Sequence, residues 1–304
     1  MKKVLLTGSN GLLGQKITNL LVQSGKFQLL ATSSGANRNT STASYEYASL
    51  DITDSQSVIN LLNVFKPDFI INSAAMTNVD ACELDPVRCQ KINVDAVQTL
   101  VSFCQKESCH LVHVSTDFIF DGQNGPYREV DLPAPISVYG QSKFDAENVI
   151  LSSGIPSSIA RTIILYGTVP GLSRTNIVLW VKESLEKGTS IKVVCDQYRA
   201  PTLAEDLATG IVEIISREKS GIYHLSGPEI MSVYEMACRI ADFWKLDSAL
   251  ITPIDSATLS QPARRPPKTG FIILKAIQDL DYKPNTLESG LTILDKQLRM
   301  LVNA

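Results

Sequence analysis

Thr7-Gly8-Ser9-Asn10-Gly11-Leu12-Leu13-Gly14 lies near the start of this 304-residue chain and indicates its architecture. It follows the apolar run Val4-Leu5-Leu6, which predicts a buried strand, and it precedes residues 17–21, whose apolar positions have helical spacing. A strand, a glycine-rich turn and a helix in this order form a site for a nucleotide diphosphate. The helix N-terminus offers unpaired N–H groups and a partial positive charge to the phosphates.

The glycines of this turn have separate predicted roles. Gly8 and Gly11 let the backbone turn and approach a pyrophosphate, and Gly14 lets the helix pack closely against the strand. The spacing is G-x-x-G-x-x-G rather than the commoner G-x-G-x-x-G. Because glycines also occur in ordinary turns, the assignment needs support from a second motif.

That second motif is Tyr139-Gly140-Gln141-Ser142-Lys143, which opens a predicted helix. Tyr139 and Lys143 are four residues apart, so they project from one helical face. A free tyrosine has a pKa near ~10, and a nearby ammonium favours the phenolate, so we expect Lys143 to lower the pKa of Tyr139. The pair then suits protonation of a carbonyl oxygen during reduction. Thr116, which ends the predicted strand residues 112–116, can hydrogen-bond the same oxygen.

Together these motifs resemble the extended short-chain dehydrogenase/reductase superfamily, whose pattern is Gly-x-x-Gly-x-x-Gly, a hydroxyl residue and Tyr-x-x-x-Lys. The resemblance narrows to the dTDP-4-dehydrorhamnose reductase family and spans Lys3 to about Tyr282. The stretches that carry it are Ser115-Thr116-Asp117-Phe118-Ile119-Phe120-Asp121-Gly122, Tyr127-Arg128-Glu129, residues 72–80, Lys91-Ile92-Asn93, Arg161-Thr162, Tyr166-Gly167 and Asp196-Gln197-Tyr198-Arg199-Ala200-Pro201-Thr202.

This resemblance implies NADPH-dependent reduction of the C4 ketone of dTDP-4-dehydrorhamnose to dTDP-rhamnose. It implies that Tyr139 protonates the developing alkoxide with help from Thr116, and that Lys143 holds the nicotinamide ribose. The predicted cofactor-binding residues are Gly8, Asn10, Gly11, Leu12, Gly14, Ser33, Arg38, Asp51, Ile52, Ala74, Ala75, Asn93, Tyr139 and Lys143. The predicted substrate contacts are Thr77, Asp117 and Arg264, the last because a guanidinium suits phosphate oxygens.

The end of the second predicted strand favours NADPH over NADH. NAD sites usually carry an acidic residue there, which binds the ribose 2′-hydroxyl. Here the strand ends Ala31-Thr32-Ser33-Ser34, and no carboxylate follows before Glu46. Arg38 lies nearby and either pairs with a 2′-phosphate or is a solvated loop residue. We therefore predict NADPH, with NADH as the alternative.

Alternating strands and helices predict an α/β protein with a doubly wound, parallel Rossmann-type sheet and a smaller C-terminal substrate-binding region. We expect residues 1–167 to form the dinucleotide-binding domain. Residues 168–304 form mainly the substrate-binding region, with part returning to the main sheet near residues 221–226. Further strands are predicted at residues 29–31, 69–71, 111–114 and 158–165, and helices at 55–65, 86–105 and 139–151.

Composition agrees with a cytoplasmic enzyme. The net charge of −3, with both signs interspersed, gives no indication of nucleic acid or an anionic membrane as partner. The N-terminal apolar run is too short for a signal peptide or a membrane span. The six cysteines include no C-x-x-C pair, and the three histidines lack ligand spacing, so we predict no metal site and no catalytic histidine. A homodimer is left open.

Departures from the family pattern keep other functions open. Ile164 stands where the family usually has a tryptophan beside the sugar, and residues 264–269 lack the usual asparagine-serine, so other sugars and nucleotides stay open as the substrate. Another sugar-nucleotide reductase or epimerase remains an alternative, whereas Phe118 replaces the acidic residue of dehydratases. The chain also resembles the regulatory beta subunit of methionine adenosyltransferase, which would make it a non-catalytic partner.

Overall fold

The computed structural model describes residues 1–40, 44–172 and 174–302. The strands are β1 Lys2–Thr7, β2 Phe27–Ser33, β3 Glu46–Ser49, β4 Phe69–Asn72, β5 His110–Thr116, β6 Ser157–Thr162, β7 Leu165–Tyr166, β8 Ile191–Val194, β9 Tyr198–Arg199, β10 Thr202–Leu203, β11 Gly221–His224, β12 Met231–Ser232 and β13 Ile251–Ile254. The helices are α1 Leu12–Ser24, α2 Ser55–Phe65, α3 Val79–Leu84, α4 Pro86–Gln90, α5 Ala96–Glu107, α6 Val138–Ser152, α7 Ile177–Glu186, α8 Ala204–Ser216, α9 Val233–Trp244, α10 Leu274–Leu280 and α11 Leu287–Val302.

Seven strands form one parallel sheet in the order β11-β6-β5-β4-β1-β2-β3. From β1 the chain proceeds outward through β2 and β3 on one side, and then through β4, β5 and β6 on the other. The strand order therefore reverses between β1 and β4, and ligands bind outside the carboxyl ends of the strands at such a point. This arrangement confirms the predicted doubly wound α/β fold.

Helices cover both faces of the sheet because adjacent strand residues point to opposite sides. Leu6 of β1 packs in the same buried cluster as Ile17 of α1 and Ile211 of α8. Its neighbour Leu5 packs on the other face, with Leu62 of α2 and with apolar residues of α5 and α6. Strand β1 is thus buried on both sides, which its uninterrupted apolar run predicts.

The C-terminal part of the chain builds a second core and also returns to the main sheet. Val178 of α7, Met236 of α9 and Leu291 of α11 are fully buried in this second cluster. Strand β11 pairs in parallel with β6 at the edge of the main sheet, as the sequence predicts. The division at residue 167 remains a prediction.

Two predicted elements are interrupted. The strand predicted over residues 158–165 ends at Thr162, and Ile164 has φ +25°, which a β-branched residue rarely adopts. The helix predicted over residues 86–105 contains a π-helical segment, Lys91–Asp95, between α4 and α5. Across the described ranges, no helix combines the length and the apolar character needed to cross a bilayer.

Candidate active site

The carboxyl ends of the central strands open onto a cleft of about 1390 Å³. It lies between the main sheet and the C-terminal region, since residues of α1, β5, α6 and α7 all contribute to its walls. The sequence-predicted residues that line it are Gly8, Asn10, Gly11, Leu12, Gly14, Ser33, Arg38, Asp51, Ile52, Ala74, Ala75, Thr77, Thr116, Asp117, Tyr139 and Lys143.

The glycine-rich turn has the close backbone contacts that its sequence predicts. Gly8 has φ +69°, and a Cβ there would lie 2.8 Å from the backbone nitrogen of Ala74. A Cβ on Gly14 would lie only 2.2 Å from the carbonyl oxygen of Gly8. Gly11 caps α1 without a side-chain hydrogen bond to the first helical turn. The N-terminus of α1 therefore presents backbone donors to the cleft, and this fits a pyrophosphate.

Asn10 ties the loop after β2 to this turn. Its Oδ1 accepts a hydrogen bond from the backbone nitrogen of Arg38 (2.9 Å), and its Nδ2 donates to the carbonyl oxygen of Ala36 (2.9 Å). Asn10 is itself 7 % exposed, so its side chain mainly holds the loop. The loop brings Arg38 to the cleft wall near Ser33, at the end of β2. This arrangement fits a phosphorylated ribose better than a bare 2′-hydroxyl.

Helix α6 places the predicted tyrosine and lysine together. Ser137 caps the helix by accepting a hydrogen bond from the backbone nitrogen of Gly140 (3.2 Å), and this fixes where the first turn begins. Tyr139 is 9 % exposed and packs edge-on against Phe118. Lys143 follows one turn later and is 2 % exposed.

The pKa of Tyr139 is raised above its usual value, contrary to the sequence-based expectation of a lowered pKa. Burial is the largest cause, because it disfavours the phenolate, and repulsion from Asp117 adds to it. A hydrogen bond with Thr116 acts in the opposite direction. The expectation was wrong because the sequence does not show how deeply the hydroxyl is buried.

Lys143 has two polar contacts on its inner side. Its Nζ donates to the carbonyl oxygen of Val114 (2.6 Å) and lies 2.8 Å from Nε2 of His113. Burial lowers the pKa of Lys143 to about 8, while Glu147 and Cys89 act in the opposite direction. The sequence predicts His113 only as a strand residue. Its position, three residues before the end of β5 and beside helix α6, is a weak signal that the sequence-based prediction missed.

Asp117, which follows β5, contacts residues of the C-terminal part of the chain. Thr116 donates its hydroxyl to Oδ1 of Asp117 (3.1 Å), and Thr269 donates to Oδ2. Arg199 places its Nε 3.9 Å from Oδ2. Burial nevertheless raises the pKa of Asp117. Sequence reasoning did not find Thr269, because it lies more than 150 residues from Asp117 along the chain.

Two predicted site residues lie outside the cleft lining. Asn93 is 1 % exposed and lies behind the cleft wall, where its Oδ1 accepts a hydrogen bond from the backbone nitrogen of Met76 (2.8 Å). It therefore holds the loop after β4. Arg264 is exposed to solvent, whereas Arg265 reaches the cleft and forms an ion pair with Asp80 (2.7 Å). Adjacent residues in an irregular segment point in directions that the sequence does not determine.

Comparison with known proteins assigns the chain to a family. A family model described as the RmlD substrate binding domain matches residues 1–299. This chain is an RmlD family member. The RmlD assignment confirms the resemblance that the motifs predicted, and it extends that resemblance nearly to the last residue.

Individual RmlD relatives are similar over most of their length. The dTDP-4-dehydrorhamnose reductase of Aggregatibacter actinomycetemcomitans is 31 % identical over 96 % of this chain and 97 % of its own. Methionine adenosyltransferase 2 subunit beta of Pongo abelii is 33 % identical over 87 % of this chain and 78 % of its own. The structure of dTDP-4-dehydrorhamnose reductase of Bacillus anthracis, solved with NADP, is 26 % identical, has a TM-score of 0.84, and matches 98 % of this chain and 100 % of that one.

Proposed function

We propose that this protein uses NADPH to reduce the C4 ketone of dTDP-4-dehydrorhamnose, giving dTDP-rhamnose. One observation carries the proposal: Thr116, Tyr139 and Lys143 line the same cleft as the glycine-rich turn at the N-terminus of α1. A hydride donor bound along that turn and a carbonyl beside Tyr139 share one enclosed space. The reductases of Aggregatibacter actinomycetemcomitans and Bacillus anthracis support the choice of substrate.

Bound NADPH would supply the hydride. The residues of this chain would bind and orient the cofactor and the sugar, and would protonate the reduced oxygen. The donors at the start of α1 hold the pyrophosphate, and Arg38 pairs with the 2′-phosphate. Tyr139 donates its proton to the developing alkoxide, and the Thr116 hydroxyl turns from Asp117 to donate to the same oxygen. A raised pKa keeps Tyr139 protonated at neutral pH, which is the form that this direction of reaction requires. Lys143 has one N–H left for the ribose after its two inner contacts.

The substrate would occupy the side of the cleft formed by the C-terminal region. We assign the cofactor mainly to residues 1–167 and the sugar nucleotide mainly to residues 168–304. Thr77 and Asp117 line the cleft, and so do Arg174 and Arg265. Arginine suits the diphosphate of a nucleotide-linked sugar. The cysteines are all free thiols, which supports a reducing, cytoplasmic location.

A second candidate is a non-catalytic, regulatory role. It is favoured by the similarity to methionine adenosyltransferase 2 subunit beta of Pongo abelii over 87 % of this chain. Retention of Thr116, Tyr139 and Lys143 does not decide between the two, because a binding module can keep an inherited site. The two roles differ in whether any sugar nucleotide is turned over.

The deciding experiment follows NADPH oxidation with freshly prepared dTDP-4-dehydrorhamnose. Wild type should turn over, and Tyr139→Phe should lose about 100-fold or more in kcat, since a general acid contributes that much. NADPH binding, followed by nucleotide fluorescence, should stay within a few-fold and serves as the control for folding. A wild type that binds NADPH, reduces no sugar nucleotide and associates stably with a methionine adenosyltransferase would contradict the proposal.

A further inference from the structure

A chain of four buried polar side chains runs through the sheet to Lys143. Thr7 on β1 donates its hydroxyl to Oδ1 of Asn72 on β4 (2.6 Å). Nδ2 of Asn72 lies 3.0 Å from Nδ1 of His113 on β5, and Nε2 of His113 lies 2.8 Å from Nζ of Lys143. Each of the four residues is at most 2 % exposed. A polar chain across three strands of a parallel sheet needs an explanation beyond packing.

The tautomer of His113 is linked to the proton on Lys143. When Nδ2 of Asn72 donates to Nδ1 of His113, the imidazole proton lies on Nε2 and faces Nζ of Lys143. This suits a neutral amine, whose lone pair accepts that proton. An ammonium has only donors, so Nε2 must then accept and the imidazole proton must lie on Nδ1. The amide of Asn72 then has to present its oxygen to Nδ1.

The imidazole itself stays neutral in both arrangements. Burial, and then the charge of Lys143, hold the pKa of His113 well below its usual range. His113 therefore exchanges tautomers rather than gaining charge, and its Nε2 can either accept from Lys143 or donate to it. Thr7 at the far end also accepts a hydrogen bond from the backbone nitrogen of Ala74 (3.2 Å), which lies on the cleft wall.

We propose that His113 is a positioning residue that sets the protonation state of Lys143, and that the amide of Asn72 reorients with it. The proposal rests on the proposed function only where it takes Lys143 to be needed for turnover. Its structural part concerns contacts within the chain and can be tested without a substrate.

The other ionisable groups around Lys143 come from three elements. Glu147 lies one turn further along α6, and Cys89 lies on α4; both favour the ammonium. Glu147 is already paired with Arg161 of β6 (2.7 Å), so much of its charge is compensated. Tyr139 lies one turn before Lys143 on the cleft side. His113 is the neighbour on the strand side, and it is the group that can exchange between accepting and donating.

The first test uses a pair of variants. His113→Leu removes the acceptor from Nε2, and His113→Gln keeps an acceptor that Lys143 can use. Loss of a hydrogen bond to the charged form lowers the pKa of Lys143. The alkaline limb of the pH profile of kcat should therefore shift to lower pH by roughly one to two units in His113→Leu. In His113→Gln it should stay within about half a unit of the wild-type position, by the same relation.

A structural role for His113 predicts something different. Looser packing would lower kcat or thermal stability at every pH without moving the limb. If His113→Leu leaves the limb in place, or if both variants move it equally, the proposal is wrong. NADPH binding measured in parallel shows whether each variant is folded.

The second test requires no measurement of enzymatic activity. Nitrogen-15 spectra of the imidazoles distinguish the Nδ1–H tautomer from the Nε2–H tautomer. In wild type, the His113 signal should change from Nδ1–H to Nε2–H as pH rises through about 8, the pKa of Lys143. In Lys143→Met the change should be absent. A single His113 tautomer across that range in wild type would overturn the proposal, even if the protein proved not to be a reductase.

Discussion

Replacing Gly14 by alanine should weaken NADPH binding through the backbone of the glycine-rich turn. The added Cβ would lie 2.2 Å from the carbonyl oxygen of Gly8 and 2.6 Å from Cα of Ser9. Because these contacts are with backbone, the turn and α1 must separate by about 1 Å, and overpacking of this kind costs about 1–3 kcal/mol of folding free energy. Moving the turn also misaligns the donors for the pyrophosphate.

Gly25→Ala at the other end of α1 is the matched control. Gly25 has φ +62°, and a Cβ there would meet nothing within 4 Å. The left-handed conformation alone costs about 1–2 kcal/mol, so the two variants should lose similar stability. Loss of one charge-assisted hydrogen bond, about 1.5–3 kcal/mol, corresponds to a roughly tenfold to hundredfold weaker Kd for NADPH in Gly14→Ala. In Gly25→Ala the Kd should be unchanged.

Urea unfolding gives the two stabilities, and titration of NADPH fluorescence gives the two affinities. NADPH binding by Gly14→Ala as tight as that of wild type would contradict a role of the turn in holding the pyrophosphate. So would a Gly25→Ala variant that binds as weakly as Gly14→Ala, because the loss of affinity would then follow stability rather than the turn.

Three further predictions concern single side chains. Arg38→Ala should raise the Kd for NADPH about tenfold and leave that for NADH unchanged, as titration of each nucleotide will show; equal effects on both would contradict a 2′-phosphate contact. Glu147→Gln should cost about 3–5 kcal/mol in urea unfolding, since it leaves the buried Arg161 guanidinium without its partner; a loss below 1 kcal/mol would contradict this. Lys143→Met should abolish turnover yet stabilise the fold by about 1–3 kcal/mol near pH 7, because a buried ammonium is costly. The pKa of Lys143 is about 8 in the folded chain and 10.5 when unfolded, so the free energy of unfolding of wild type rises with pH between these values. The stability advantage of Lys143→Met should therefore shrink in this range. An advantage that grew with pH would contradict a lowered pKa of Lys143.

The sequence predicts the cofactor side of the molecule well. Buried parallel strands have uninterrupted apolar runs, so Val4-Leu5-Leu6 indicates β1 without reference to its partners. The glycine spacing reports local backbone contacts, and the structure has them at Gly8 and Gly14. The predicted helix at residues 55–65 coincides with α2, whose N-cap Asp54 accepts a hydrogen bond from the backbone nitrogen of Ser57.

The contacts that the sequence did not predict form between residues that lie far apart along the chain or in different elements. The contact of Thr269 with Asp117 joins residues 152 positions apart, and the contact of His113 with Lys143 joins a strand to the helix that follows it. Whether Arg264 or Arg265 faces the cleft depends on the path of an irregular segment. The direction of the Tyr139 pKa shift was mispredicted for a related reason: burial is a property of the whole fold.

The proposed reaction is hydride transfer from NADPH to C4 of a nucleotide-linked sugar, with Tyr139 as the proton donor. The most direct measurement supplies NADPH deuterated at the transferring position together with dTDP-4-dehydrorhamnose, and locates the label in the product by NMR. We predict deuterium at C4 of dTDP-rhamnose with wild type, and about 100-fold slower labelling with Tyr139→Phe. Unlabelled sugar recovered from a wild type that binds NADPH, or labelling that proceeds normally in Tyr139→Phe, would contradict this mechanism.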